Sequence, residues 1–259
     1  LLVAALLIGH VPIKARHNTV ARASCWSATD AAANSACLQQ TILSGAEKVI
    51  IPKMAGAWVV DVNTAPDSPF ADRSAFDNNT CTPPVGQESC IPPSGGPPCV
   101  ISPPGSDSVN CSTPRRAALY LDGTAGPWGR SVNDTTIVLE PGVEIQALRG
   151  SFAGLEDSLI QARNLSNITI IGYGASLSMW KEDYNNESLY RYSEFRMGIS
   201  VYGSRGVRIY GLTVNNTGGD GLFFGDWGLP PYGNVDCHIK DFTADNNNRQ
   251  GFSISGSAI

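Results

Sequence analysis

The sequence predicts an all-β protein, a parallel β-solenoid entered through a helix that covers its first coil. Three observations predict it. First, "VRIYGLTVNNTGGDGLFFG" (Val207–Gly225) recurs as "CHIKDFTADNNNRQGFSIS" (Cys237–Ser255) at a constant offset of 30 residues. Ile209 then meets Ile239, Leu212 meets Phe242, Thr213 meets Thr243, Val214 meets Ala244 and Gly221 meets Gly251. Self-similarity at such a period marks a stacked repeat. Second, the segments between turns are short and alternate. Val207, Ile209, Leu222 and Phe224 point one way, Arg208 and Phe223 the other, which is strand periodicity. Third, Gly, Asn and Ser punctuate the strand ends, as turns demand. No helix separates these strands. The chain must therefore wrap once and land on itself, stacking like residues about 4.8 Å apart.

The elements follow in order. "LLVAALLIGH" is apolar from Leu1 to Gly9 and too short to span a bilayer. It reads as the remainder of a signal sequence, with "ARA" at Ala21–Ala23 as the cleavage site. Residues 1–23 are then a leader and 24–259 the solenoid domain. "DAAANSACLQQTILSG" (Asp30–Gly45) reads as a helix capped by Asp30 and ended by Gly45, with Ala31, Leu38 and Ile42 on one face. It is placed to cover the open end of a solenoid. "EKVIIP" (Glu47–Pro52) is the first strand after it. Residues 66–113 are rich in Pro, Gly and Ser, contain four cysteines and are too long for a loop. They form a Cys/Pro-rich insertion. Strands resume in "TTIVLEPGVEIQAL" (Thr135–Leu148) and "DSLIQA" (Asp157–Ala162). "NITIIGYGASL" (Asn167–Leu177) and "RMGISVYGS" (Arg196–Ser204) form a weaker copy of the repeat, which aligns Gly198 with Gly221 and Gly251. The coil around Ile259 is incomplete, as in a fragment of a longer solenoid.

Composition narrows the partners. The net charge is -5 with 16% charged residues and no basic stripe, so nucleic acid is not an expected partner. Seven cysteines without CxxC spacing point to disulfides rather than zinc. Cys25 and Cys37 are a near pair. Cys237 takes the inward slot of Ile168 and Val207, and reads as a small core hydrophobe. His238 takes the outward slot of Arg208; the other two histidines precede residue 20, so no metal site is expected. N-x-[ST] sequons begin at Asn78, Asn110, Asn133, Asn164, Asn167, Asn186 and Asn215, a leaning toward a secreted or cell-surface glycoprotein.

From about Asp30 the chain resembles the right-handed parallel β-helix proteins of the pectin-lyase-like superfamily. The resemblance rests on "SGAEKVIIPKMAGAWVV" (Ser44–Val60), "LEPGVEI" (Leu139–Ile145), "IIGYGASLSMWKEDY" (Ile170–Tyr184), "GGDGLFFG" and "NNNRQGFSIS". It implies that fold, but no single reaction, since the superfamily holds lyases, hydrolases, epimerases and phage spikes. Polygalacturonase-like members carry Asp, Asp and His at the start of neighbouring coils, in "NTDG", "DD" and "GHG" phrases. Here the corresponding positions, just before the aligned glycines, hold Met197, Asp220 and Gln250, so Asp220 alone matches.

Asp220 is therefore the leading candidate for chemistry, against its reading as a turn residue between two glycines. In the alignment Arg196 and Arg249 flank it at the slot of Gly219, an arrangement suited to a uronate carboxylate. The insertion "SMWKEDYNNESLYRYSEF" replaces a short turn of the next coil. It brings Trp180, Lys181, Glu182, Asp183, Tyr184 and Glu194 toward Asp220, as a wall for sugar rings or as loop packing. The loop "GDWGLPPYG" adds Asp226, Trp227 and Tyr232. Hydrolysis of a polysaccharide needs a second carboxyl beside Asp220, for which Glu182, Asp183, Glu194 and Asp226 are the candidates. Elimination needs a cationic base, for which Arg196, Arg249 and Lys181 are the candidates, and often Ca2+. The expectation is a carbohydrate-active enzyme, hydrolase or lyase. The rival is a β-helix glycoprotein that only binds or displays.

Overall fold

The structure, a computed structural model, describes residues 19–62, 116–124, 131–225 and 233–255, and the backbone of four two-residue strands between 80 and 110. It is dominated by parallel strands arranged in three ladders. The first holds β1 (Val20–Arg22), β2 (Lys48–Ile51), β9 (Thr136–Leu139), the leading halves of β12 (Ser166–Ser178) and β14 (Arg205–Asn215), and β16 (His238–Lys240). The second holds β3 (Trp58–Val60), β10 (Glu144–Ala147), the trailing halves of β12 and β14, and β17 (Thr243–Asp245). The third holds β8 (Ala117–Asp122), β11 (Ser158–Arg163), β13 (Ile199–Tyr202), β15 (Leu222–Gly225) and β18 (Phe252–Ser255). From β2 onward the chain visits the ladders in the same order each time, a topology compatible with a parallel β-helix.

The 30-residue offset is a physical register. Ile209 pairs with Ile239, Thr213 with Thr243, Val214 with Ala244 and Leu222 with Phe252. One coil earlier, Ile168 pairs with Val207 and Ile170 with Ile209. The aligned glycines form a column: Ile199 N–H donates to the Gly221 carbonyl and Leu222 N–H to that of Gly251. Glycine is required there, because a Cβ on Gly198 would lie 2.3 Å from Val214 Cγ1 and 2.7 Å from the Gly221 carbonyl.

Alternation decides the core. Val49, Ile137, Ile168 and Val207 of the first ladder, Trp58, Ile145, Leu177 and Val214 of the second, and Leu119, Ile160, Ile199 and Leu222 of the third are all buried in one cluster. Each such aliphatic side chain contributes about 1.5–3 kcal/mol. One narrow apolar space is lined from all three ladders, by Ile137, Ile145 and Ile160 among others. Cys237 packs half-buried against this core and His238 is exposed, as their slots predict. Phe223 departs from the pattern. It points outward, yet is buried against Met197 and Tyr202 in a second, smaller cluster.

The corners repeat as well. Between the third and first ladders, Asp134, Asn167, Gly206 and Asp236 all have positive φ. Gly174, Gly211 and Asp241 do so between the first and second, and Asn216 and Asn246 between the second and third. Only Gly, Asn and Asp enter that region readily. This is why the repeat keeps these residue types where the strands end.

The helix forms as predicted. It is α1 (Ala31–Ile42), with the Asp30 carboxylate accepting from Ala33 N–H at 2.8 Å and Gly45 at φ 80° after its end. It guards the edge of the first coil by offering side chains to unpaired backbone. Asn34 donates to the Val59 carbonyl, Ser35 to that of Asp61, and Gln39 bonds both N–H and carbonyl of Tyr120. A Cys25–Cys37 disulfide ties the helix to the segment before it. β1 lies on the leader side of the boundary expected at residue 24, and Ala23 is buried in the core. The four short strands, β4 (Thr80–Cys81), β5 (Ser89–Cys90), β6 (Cys99–Val100) and β7 (Val109–Asn110), pair antiparallel as β4 with β7 and β5 with β6. The rest of the Cys/Pro-rich insertion lies outside the described residues. Among the described residues, no helix is long and apolar enough to cross a membrane.

Candidate functional site

Length varies mainly at one corner of the coil, between the second and third ladders. Strands β14 and β15 are joined there by residues 216–221 and β17 and β18 by residues 246–251, whereas residues 179–198 intervene between β12 and β13. The Cys/Pro-rich segment leaves the coil at the same corner, between β3 and β8. The insertion predicted to stand beside Asp220 does so. Its short helix α2 (Lys181–Tyr184) packs the Tyr184 ring where a Cβ on Gly218 would go, at 2.7 Å. Lys181 spans two coils, its Nζ donating to Asn246 Oδ1 and the Asn247 carbonyl, both at 3.1 Å.

Asp220 is fully buried. Its Oδ1 accepts the Gln250 N–H at 3.0 Å, its own N–H reaches Met197 Sδ, and its carbonyl accepts Gly198 N–H. All three residues before the aligned glycines therefore meet at one column. Asp220 Oδ2 lies 3.5 Å from Arg249 Nη1 and has no hydrogen-bond partner. Arg249 is shared: its Nε lies 3.5 Å from Glu194 Oε2, and Glu194 Oε1 accepts from Tyr192 Oη at 2.9 Å. A planar guanidinium holds its nitrogens about 2.3 Å apart, so the two carboxylates approach within about 9 Å of each other. Gln250, exposed, accepts from Ser253 Oγ through its Oε1. The Glu194 hydrogen bond also raises the Tyr192 phenol pKa.

Several expectations are corrected here. Arg196 does not flank the Asp220 carboxylate. Its backbone occupies the expected slot, but its side chain turns under the insertion. There it is fully buried, donating to the carbonyls of Phe152, Ala153 and Arg191. It lies 5.3 and 5.5 Å from the rings of Tyr184 and Tyr190, which replace a carboxylate by cation–π attraction. Burial pushes its pKa down. Tyr184 is therefore core rather than sugar platform, and burial drives its phenol pKa strongly up. Trp180 is half-buried, with Nε1 on the Ala147 carbonyl and the Arg149 guanidinium 5.0 Å over its ring. Asp183 is held by a two-pronged bond from Arg149 at 2.6 and 2.7 Å, which lowers its pKa. Glu182 is exposed. Asp226, Trp227 and Tyr232 lie outside the described residues.

The charge balance changes with these positions. Two carboxylates now share one guanidinium, a net charge of about -1 instead of the expected surplus of arginine. Such a cluster repels a uronate and suits hydroxyls. No group of three or more His, Cys, Asp or Glu side chains is placed to hold a metal ion among the described residues. A cleft of about 480 Å3 escaped the sequence reading. It lies on the outer face of the first ladder, among Glu47, Lys48, Asp134, Thr136 and Thr169. Its residues meet only because strands 30 to 90 positions apart pair, and no local motif announces them.

No family model, curated protein or solved structure matches the chain.

Proposed function

We propose that this chain folds as a right-handed parallel β-helix of the pectin-lyase-like kind, secreted or held at a cell surface, which binds a glycan at the corner between its second and third ladders. Binding, rather than bond cleavage, is the activity this geometry supports best. The observation that carries it is the complete burial of Asp220, with Oδ1 engaged by the next coil. A general acid or nucleophile must reach the glycosidic oxygen or carbon, and this carboxylate has no open face. The groups that remain reachable beside it are Tyr192, Glu194, Arg249 and Gln250. They offer a phenol ring, a carboxylate, a guanidinium and an amide, a set that fits hydroxyl-rich sugars.

Hydrolysis is the second reading, favoured by an Asp220 Oδ2 that accepts no hydrogen bond and by a second carboxylate, Glu194, on the same guanidinium, close enough to serve as the other member of a carboxyl pair. One experiment separates them. The protein is offered a panel of neutral and uronate polysaccharides, and both retention on the polymer and release of reducing ends or unsaturated uronates are measured. Retention without products, weakened in Glu194→Gln, is the expected result. Products that vanish in Asp220→Asn establish the enzyme instead. Neither retention nor products removes the glycan altogether.

A further inference from the structure

Five of the sequons lie wholly within residues whose side chains are described, and they differ in whether their groups are already spent. Asn133 donates Nδ2 to the Gly123 carbonyl at 2.8 Å and accepts Ser166 N–H on Oδ1. Asn167 gives Nδ2 to Asp134 at 2.9 Å. Asn215 is half-buried, and the hydroxyl of its third sequon residue, Thr217, is fully buried and donates to the Gly219 carbonyl. Asn164 and Asn186 are exposed, and neither Nδ2 donates to another group among the described residues. Asn186 stands out further. Its Oδ1 accepts the N–H of Ser188, the third residue of its own sequon, at 3.0 Å. This Asx turn holds the oxygen inward and leaves Nδ2 toward solvent. Glu187, Ser188 and Leu189 around it are exposed too.

We propose that Asn186, and after it Asn164, carry N-linked glycans, while Asn133, Asn167 and Asn215 do not. This rests on the secretory reading above. In the reaction, Asn Nδ2 displaces the diphosphate at the anomeric carbon of a polyisoprenyl-diphosphate-linked oligosaccharide. The N–C bond forms, the C–O bond breaks, the diphosphate leaves with the electron pair, and the amide gives up one proton. Attachment precedes folding, so the fold selects afterwards. A glycan on Asn133 replaces one of the two Nδ2 hydrogens, puts a sugar where Nδ2 meets the Gly123 carbonyl between coils, and so strains or breaks a part-buried hydrogen bond. A glycan on Asn186 projects from the insertion and disturbs nothing.

The test is expression of the full chain in a secretory eukaryotic host, followed by glycan removal in isotopically heavy water and peptide mass spectrometry. High occupancy at Asn186, lower at Asn164 and none at the other three is expected. Ser188→Ala should remove one glycan's mass and leave the unfolding temperature of the enzymatically deglycosylated protein unchanged. Two results overturn the proposal: an unmodified Asn186 in chains whose Cys25–Cys37 disulfide has formed, or folded chains glycosylated at Asn133. The disulfide reports passage through an oxidising lumen, so a bare Asn186 with both thiols reduced instead overturns the secretory reading on which the proposal stands.

Discussion

If Asp220 is a clamp between coils, removing its carboxyl should loosen the coil that carries Gln250 from the coil that carries Asp220. Asp220→Ala deletes the acceptor of the Gln250 N–H, a charge-assisted bond at 3.0 Å worth about 1.5–3 kcal/mol. The Arg249 pair adds less than about 1 kcal/mol, because its 3.5 Å separation and a guanidinium side chain 35% exposed leave it weak. The sum is about 1.5–4 kcal/mol. Asp220→Asn keeps an acceptor oxygen and should cost about 1 kcal/mol. In a stacked repeat the loss falls first on the nearest interface. Hydrogen exchange should therefore be read at Gly221 and Leu222, whose N–H groups donate to the carbonyls of Gln250 and Gly251. The Ala variant should speed exchange there by about ten- to several-hundred-fold, against roughly five-fold for Asn, with little change in the Ile137 and Ile168 strands. Equal, near-native exchange in both variants refutes the clamp and reopens a chemical role for the buried acid.

Three further outcomes follow from the packing. Gly198→Ala should cost about 1–3 kcal/mol, read by urea unfolding, because the added methyl meets Val214 and the Gly221 carbonyl; a neutral result would mean the column of glycines is not tight. The Asp183 pKa is lowered by its bond from Arg149, so the pair's stabilisation is present above the ordinary carboxylate pKa and is lost as pH falls through the depressed value. The drop in unfolding temperature between about pH 5 and 2 should accordingly shrink in Arg149→Met. Reducing Cys25–Cys37, which closes a loop with a sequence separation of 12, should cost about 3 kcal/mol and lower the unfolding temperature by roughly 6–10 °C, as scanning calorimetry would show.

The register of the coils was legible because it is local and periodic. Each 30-residue phrase carries its own inward aliphatics and its own Gly, Asn or Asp at the corners, and a repeat that pairs with its copy needs no distant information. The helix was legible for the same reason, since the Asp30 cap and Gly45 end are neighbours in the chain. The burial of Phe223 was not, because alternation states only which way a side chain points, and Met197 and Tyr202 come from another coil.

Sequence alone determined that like residues would stack in columns, that Asp220 would share one with Met197 and Gln250, and that the insertion would stand beside it. Only the tertiary structure decided the side-chain directions within that corner. Arg196 and Arg249 hold equivalent backbone slots, yet one turns inward to two tyrosine rings and the other outward to two carboxylates. The physical reason is that register constrains Cα positions, whereas a long flexible side chain goes where its charge finds partners, and those partners are supplied by loops whose paths no repeat encodes.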